Sequence, residues 1–159
     1  MPSFEKHVAQ ARHNRALVVD LGANGLKGRY CDWVVTVSFY SVLHMVEAMI
    51  YECEHLRAPS NPLPRFATQK ALVKIAGVKH SSDLAGNYCR NGHELRDCVI
   101  GDNIWYFKGV GKVCMVLRGL SQSARYDCQE INDDDADFAR ERLFEAVKDF
   151  NAWAITKKT

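Results

Sequence analysis

The chain has 159 residues, 47% hydrophobic and 25% charged, with a formal net charge of +2. That profile belongs to an ordinary globular protein, long enough to bury a core without disulfide or metal staples. Its six cysteines, Cys31, Cys53, Cys89, Cys98, Cys114 and Cys128, stand singly with no CxxC pair, so they read as reduced, buried thiols rather than a disulfide framework.

The small net charge hides an asymmetry. Between Arg57 and Arg96 seven Lys and Arg face only Asp83 and Glu94, a balance of +5, whereas from Asp127 to Asp149 nine acids face Arg140, Arg142 and Lys148, a balance of −6. The middle suits phosphates and the C-terminal part repels them. Equally, the two regions could complement each other within the fold or across a dimer.

In chain order, residues 3–21 are predicted as a first helix. Ser3 is placed to cap it, Glu5 suits its positive end, and Phe4, Val8, Ala11, Val18 and Leu21 fall at helical spacing. Gly22 and Asn24-Gly25 are read as its stop. Asp32 is then the expected cap of a long central helix, DWVVTVSFYSVLHMVEAMIY, apolar on nearly every side and so expected to be packed all round. Its stretch 33–50 is just long enough to be weighed as a membrane span, but His44 and Glu47 lie inside it and no basic cluster flanks it. The N-terminal SFEKHVAQARHN does not read as a signal peptide. The expectation is a soluble core helix in a cytoplasmic protein.

After His55 the run Pro59-Ser60-Asn61-Pro62-Leu63-Pro64 forbids helix. A short helix is expected over 65–76 and another from Ser81 or Ser82 towards Asp97. Residues 101–111 read as a loop, with a helix from about Gly111 to Cys128 on which Val113, Leu117, Leu120 and Ala124 keep helical spacing; a β-hairpin over 104–117 is the competing reading. The acidic run Asn132 to Asp135 should cap a last helix, 136–153, with Phe138, Leu143, Phe144, Val147 and Phe150 as its buried face. The sum is an all-α bundle of five or six helices in one domain, ordered over about 3–154.

Certain pieces form a recognisable set: Phe4, His7, Ala11 and Asn14 on the first helix, Asp32-Trp33 with Phe39-Tyr40 and Leu43-His44, and Ser121 with Ala124-Arg125-Tyr126. Together they resemble the HEPN-like class, the "higher eukaryotes and prokaryotes nucleotide-binding" helical bundles. The resemblance covers about two thirds of the chain. It implies a four- to five-helix bundle, often a homodimer, in a superfamily rich in RNA-cutting toxins, defence ribonucleases and partners of nucleotidyltransferases. Nuclease members carry an Arg and then, after four to six intervening residues, a His on a late helix. Here no histidine (7, 13, 44, 55, 80 or 93) has such an Arg; the nearest approach, Arg90-Asn91-Gly92-His93, is too short.

The residues themselves offer one constellation. Trp33, Val37, Tyr40, His44, Glu47 and Tyr51 share a stripe of the central helix, and a carboxylate one turn from an imidazole raises its basicity and fixes its tautomer. On another helix, Arg125 with Ser121 one turn earlier could hold a phosphate. Brought together, these groups would make a metal-independent RNA-cleaving site, with His44 as general acid or base, Tyr40 beside it, and Arg125 stabilising charge on phosphorus. The alternative is a buried hydrogen-bond network that fixes helix register. Arg90 and His93, near Tyr88 and Arg96, form a second basic group that would stack and contact RNA, or else be a solvated helix face. The aspartates at 133–137 lack the glycine and the final acid of a calcium loop. No metal ligand set and no cofactor motif appears. Three functions stay open: an RNA- or nucleotide-binding module, with Glu47, Ser121, Tyr126, Arg90 and His93 as further contacts; a ribonuclease using His44 and Arg125; and a protein-interaction subunit.

Overall fold

A computed structural model describes residues 3–23, 29–52, 100, 104–126 and 130–157. These residues are helical, with no strand among them: α1 (Phe4–Ala23), α2 (Cys31–Glu52), α3 (Ile104–Tyr126) and α4 (Asp133–Thr156). The hairpin reading of 104–117 is thereby excluded. The helices expected over 65–76 and 81–97, and the proline segment before them, lie outside the described residues.

α2 is the hub, packing against α1, α3 and α4. From Val34 to Ile50 every side chain except Tyr40 is buried, as a helix that is apolar all round requires. It is also long and apolar enough to cross a membrane, but 78% of that stretch is buried inside the bundle. Its first turn departs from the expectation of packing on every side. Trp33 is 57% exposed, and the helix starts from the Tyr30 carbonyl, which accepts from Val34 N at 3.0 Å. Asp32 therefore lies in the first turn, where it still favours the positive end of the helix, and is not the cap.

Contacts between helix ends fix the directions. His7 meets His44 and Ala11 meets Ser41, so α1 runs antiparallel to α2. Tyr106 meets Met49 and Arg125 meets Tyr40, so α3 does likewise. At the N-terminal ends the Cys31 thiol donates to Asp133 Oδ1 at 3.3 Å, and at the C-terminal ends Lys157 Nζ donates to the Glu52 carbonyl at 3.2 Å, so α4 lies parallel to α2. Tyr106 Oη also donates to the Met49 carbonyl at 2.9 Å. α2 has no basic residue in its last turn; neighbouring helices supply these donors to its negative end.

α1 opens as expected. The Ser3 hydroxyl accepts from Lys6 N at 3.4 Å, and its hydrogen bond to Glu5, followed by that carboxylate's bond to its own backbone N–H, holds the Glu5 carboxyl below its ordinary range. α1 runs through Gly22 to Ala23, two residues past the expected stop.

α4 starts at a capping box: Asn132 Oδ1 accepts from Asp135 N at 3.0 Å, and Asp135 Oδ2 accepts from Asn132 N at 3.2 Å. Its buried face corrects the expected one. Ala136, Ala139, Leu143, Ala146 and Phe150 point inward, while Phe138 and Phe144 are 42% and 44% exposed. These five positions alternate in steps of three and four, and the alanines let α4 lie close to α2. Bulk drew the eye to the phenylalanines flanking that stripe.

α3 begins at Ile104, earlier than the expected Gly111, but breaks at Lys108, whose φ of 47° and ψ of −130° are non-helical. A side chain at such a position costs on the order of 1–3 kcal/mol. The break brings two chains too close for side chains: a Cβ at Gly111 would sit 2.7 Å from Phe107 Cβ and 2.8 Å from Ile100 Cγ2, both of residues fully buried. Cys31 and Cys114 are buried and in no disulfide, as expected.

Two outcomes follow. Gly111→Ala overpacks a site with no room to yield and should lower stability by about 1–3 kcal/mol in urea unfolding; an unchanged midpoint would mean that Phe107 and Ile100 do not pack there. Lys108→Gly removes the backbone strain at some entropic cost, and should raise Tm by roughly 2–4 °C.

Candidate functional site

Between α1 and α2 lies an open cleft of about 580 Å³, lined by Lys6, His7, Gln10, Asn14 and Leu17 of α1 and by Val37, Tyr40 and His44 of α2. Helical spacing builds both walls. On α1 the steps 7, 10, 14 and 17 place four lining residues on one stripe, and on α2 the steps 37, 40 and 44 do the same. The antiparallel register then sets His7 opposite His44.

At the floor, His7 Nδ1 and His44 Nδ1 are 3.1 Å apart, with ring centroids 5.4 Å apart, and both residues are only 6% exposed. One nitrogen donates and the other accepts, which fixes complementary tautomers. The donor's Nε2 then carries a lone pair and the acceptor's Nε2 carries a proton, so a neutral pair holds one base and one acid. The sequence stripe paired His44 with Glu47; the structure places His7 on its Nδ1. Glu47 is buried, 8% exposed, and is not among the cleft-lining residues.

Tyr40 and Arg125 do meet. Arg125 Nη1 donates to Tyr40 Oη at 2.9 Å, and Arg125 Nε donates to the Ser121 carbonyl at 3.1 Å. The guanidinium carbon lies 5.4 Å from the centre of the Tyr40 ring and 4.9 Å from that of Tyr126, which is 70% exposed. Two rings and one carbonyl thus hold the fork in place. Tyr40 links it to the cleft: its oxygen accepts from Arg125, and its own proton remains to donate. Ser121 is fully buried, and its hydroxyl has no hydrogen-bond partner among the described residues; Arg125 touches that residue only through its backbone. Arg90 and His93 lie outside the described residues.

The other lining groups are suited to an anionic, hydrogen-bonding ligand. Gln10 Nε2 donates to Asn14 Oδ1 at 2.9 Å, which orients the Asn14 amide nitrogen as a donor. Lys6 adds a cation, and no carboxylate lines the cleft among the described residues. No group of three His, Cys, Asp or Glu placed to hold a metal occurs among the described residues.

Sequence reasoning offered Tyr40, His44 and Arg125 as site residues but not Lys6 or Gln10, and named His7 and Asn14 only within the resemblance. The signal was the polar stripe at 7, 10 and 14 on a helix whose own residues were read for their apolar spacing. The chain matches no known family model, no curated protein and no solved structure. Any assignment therefore starts from its own residues.

If the His7–His44 contact couples α1 to α2, His7→Ala and His44→Ala should each destabilise the fold by about 1–3 kcal/mol. The double variant should cost less than the sum by at least about 0.5 kcal/mol in chemical unfolding. Strict additivity would show that the two rings are neighbours without a bond.

Proposed function

We propose that this protein is a HEPN-like helical bundle that binds RNA or a nucleotide in the α1–α2 cleft. The observation that carries the reading is the cleft itself: about 580 Å³, lined by Lys6, Gln10, Asn14 and Tyr40, with no carboxylate among its described lining residues and two histidines at its base. A cavity of that size admits a nucleotide. Its cation and amide donors suit phosphate and base edges, and the Tyr40 ring offers a stacking face. The resemblance adds a four- to five-helix bundle, a homodimer and a role in prokaryotic defence or a toxin–antitoxin pair; the count of five or six helices and the cytoplasmic setting come from the sequence itself.

The His7–His44 pair favours a second reading, a metal-independent ribonuclease. RNA cleavage without a metal needs a base to take the 2′-hydroxyl proton and an acid to protonate the leaving oxygen. A hydrogen-bonded imidazole pair holds both: as one ring takes the 2′ proton at Nε2 it passes the shared Nδ1 hydrogen to the other, whose Nε2 proton goes to the leaving oxygen, so both rings stay neutral and exchange tautomers. Arg125, fixed on Tyr40, is the cation that would stabilise charge on phosphorus. This reading replaces the absent Arg-to-His motif with groups from three helices.

The test is fluorescence polarisation with a labelled single-stranded RNA at low salt, followed by a cleavage assay in chelator. Wild type should bind, and Lys6→Ala, a change at an exposed residue, should lower the log–log salt slope by about 1. No retention of RNA or mononucleotide at low salt would overturn the binding reading. For cleavage, His44→Ala and His7→Ala should each abolish activity in protein that still binds RNA; intact RNA with wild type leaves binding as the function.

A further inference from the structure

A second cavity lies where α2, α3 and α4 meet. It measures about 300 Å³ and is walled by Met49, Tyr106, Phe107, Val110 and Trp153, with Asp149 and Lys108 also lining it. We infer that this cavity is a binding site for a small organic ammonium ion, held over the Tyr106 and Trp153 rings and paired with the Asp149 carboxylate.

Three observations carry the inference. The first is a pre-set aromatic wall. The Tyr106 and Trp153 rings stand nearly perpendicular, at 83°, with centroids 6.3 Å apart, and Tyr106 cannot swing away because its hydroxyl is bound to the Met49 carbonyl at 2.9 Å. Phe150 and Phe4 back the indole at 5.4 and 6.5 Å. Two fixed ring faces beside a cavity form the arrangement that attracts an alkylammonium through the ring quadrupole.

The second is the carboxylate. Asp149 lies against the α3 backbone at Gly109, in space that a Cβ at that position would occupy. Glycine there allows an acid to reach the cavity, and an acid beside aromatic rings selects a cation over a neutral guest of equal size. The third is the backbone. Lys108, at φ 47° and ψ −130°, is the described non-glycine residue with a positive φ, and it lines this cavity. Strain of that kind persists where the surrounding structure imposes it, and it collects at ligand sites. The Lys108 ammonium carries the same charge as the guest, and its exposed stem lets it turn to solvent.

The volume suits a guest the size of a lysine side chain. The site shares no lining residue with the α1–α2 cleft, so it stands or falls apart from the proposed RNA binding.

The experiment is a titration of ¹⁵N-labelled protein with n-butylammonium chloride, read at the Trp153 indole resonance, which the variant Trp153→Phe assigns. Sodium chloride controls for ionic strength and n-butanol serves as the neutral guest of equal shape. The expected result is saturation with a dissociation constant on the order of a millimolar. n-Butanol should bind at least about fivefold more weakly. Asp149→Asn should weaken the ammonium about threefold or more, and Lys108→Gly should tighten it. Lys6→Ala, in the other cleft, should leave it unchanged. No saturation beyond the sodium chloride control would overturn the inference. So would equal binding of n-butanol, or weaker ammonium binding in Lys108→Gly, which would mark a site for an anion or zwitterion. If Asp149→Asn does not fold, the comparison of butylammonium with butanol on wild type decides.

Discussion

A helix that is apolar on every side cannot stand at a surface, and the architecture follows from that constraint on α2. Among the described helices three cover it, each by a different device. α1 approaches where Ala11 is small and its carbonyl accepts from Ser41 Oγ at 2.8 Å. α4 approaches along its alanines. α3 reaches it through Phe107, Val110, Cys114 and Leu117, all buried. Every polar group that α2 carries into this setting needs a partner, since an unpaired buried donor or acceptor costs roughly 1–3 kcal/mol. Ser41, Tyr40, His44 and the Met49 carbonyl find theirs on other helices, whereas the fully buried Ser38 hydroxyl has none among the described residues.

The same demand produced the candidate chemistry. His44 and Tyr40 sit on a stripe of α2 that lines the cleft; His7, which satisfies His44, lines it too, and Arg125 is joined to it through Tyr40. Structural need and chemical capacity coincide in these four side chains. A hydrogen-bonded imidazole pair fixes helix register whether or not it ever moves a proton. What separates the two roles is access, and the cleft supplies it.

Much of this was legible in the sequence. The central helix and the capped last helix followed from spacing and side-chain chemistry, and the same reasoning singled out Tyr40, His44 and Arg125, of which the first two line the cleft and the third bonds Tyr40. Pairings between helices were not legible, because they depend on register: a shift of one turn would set a different residue of α1 opposite His44. The inward face of α4 was misjudged for a related reason. Hydropathy ranks Phe138 above Ala139, yet closeness of approach, not bulk, decides which face α2 accepts. The start of α3 was missed because Gly109 and Gly111 weaken helix propensity, whereas here they serve as clearance for Asp149, Phe107 and Ile100.

The central position of α2 also bears on synthesis. α2 is complete by residue 52, but two of its three covering helices end at residues 126 and 156. At ribosomal speeds of about 5–20 residues per second, the helix waits several seconds or more with only the α1 side shielded. During that interval Val35, Val42, Val46 and Met49, fully or almost fully buried in the finished bundle, are open to any apolar surface they meet. A nascent chain halted between α2 and α3 would therefore present the stickiest helix of the protein half-covered, a natural substrate for a holding chaperone.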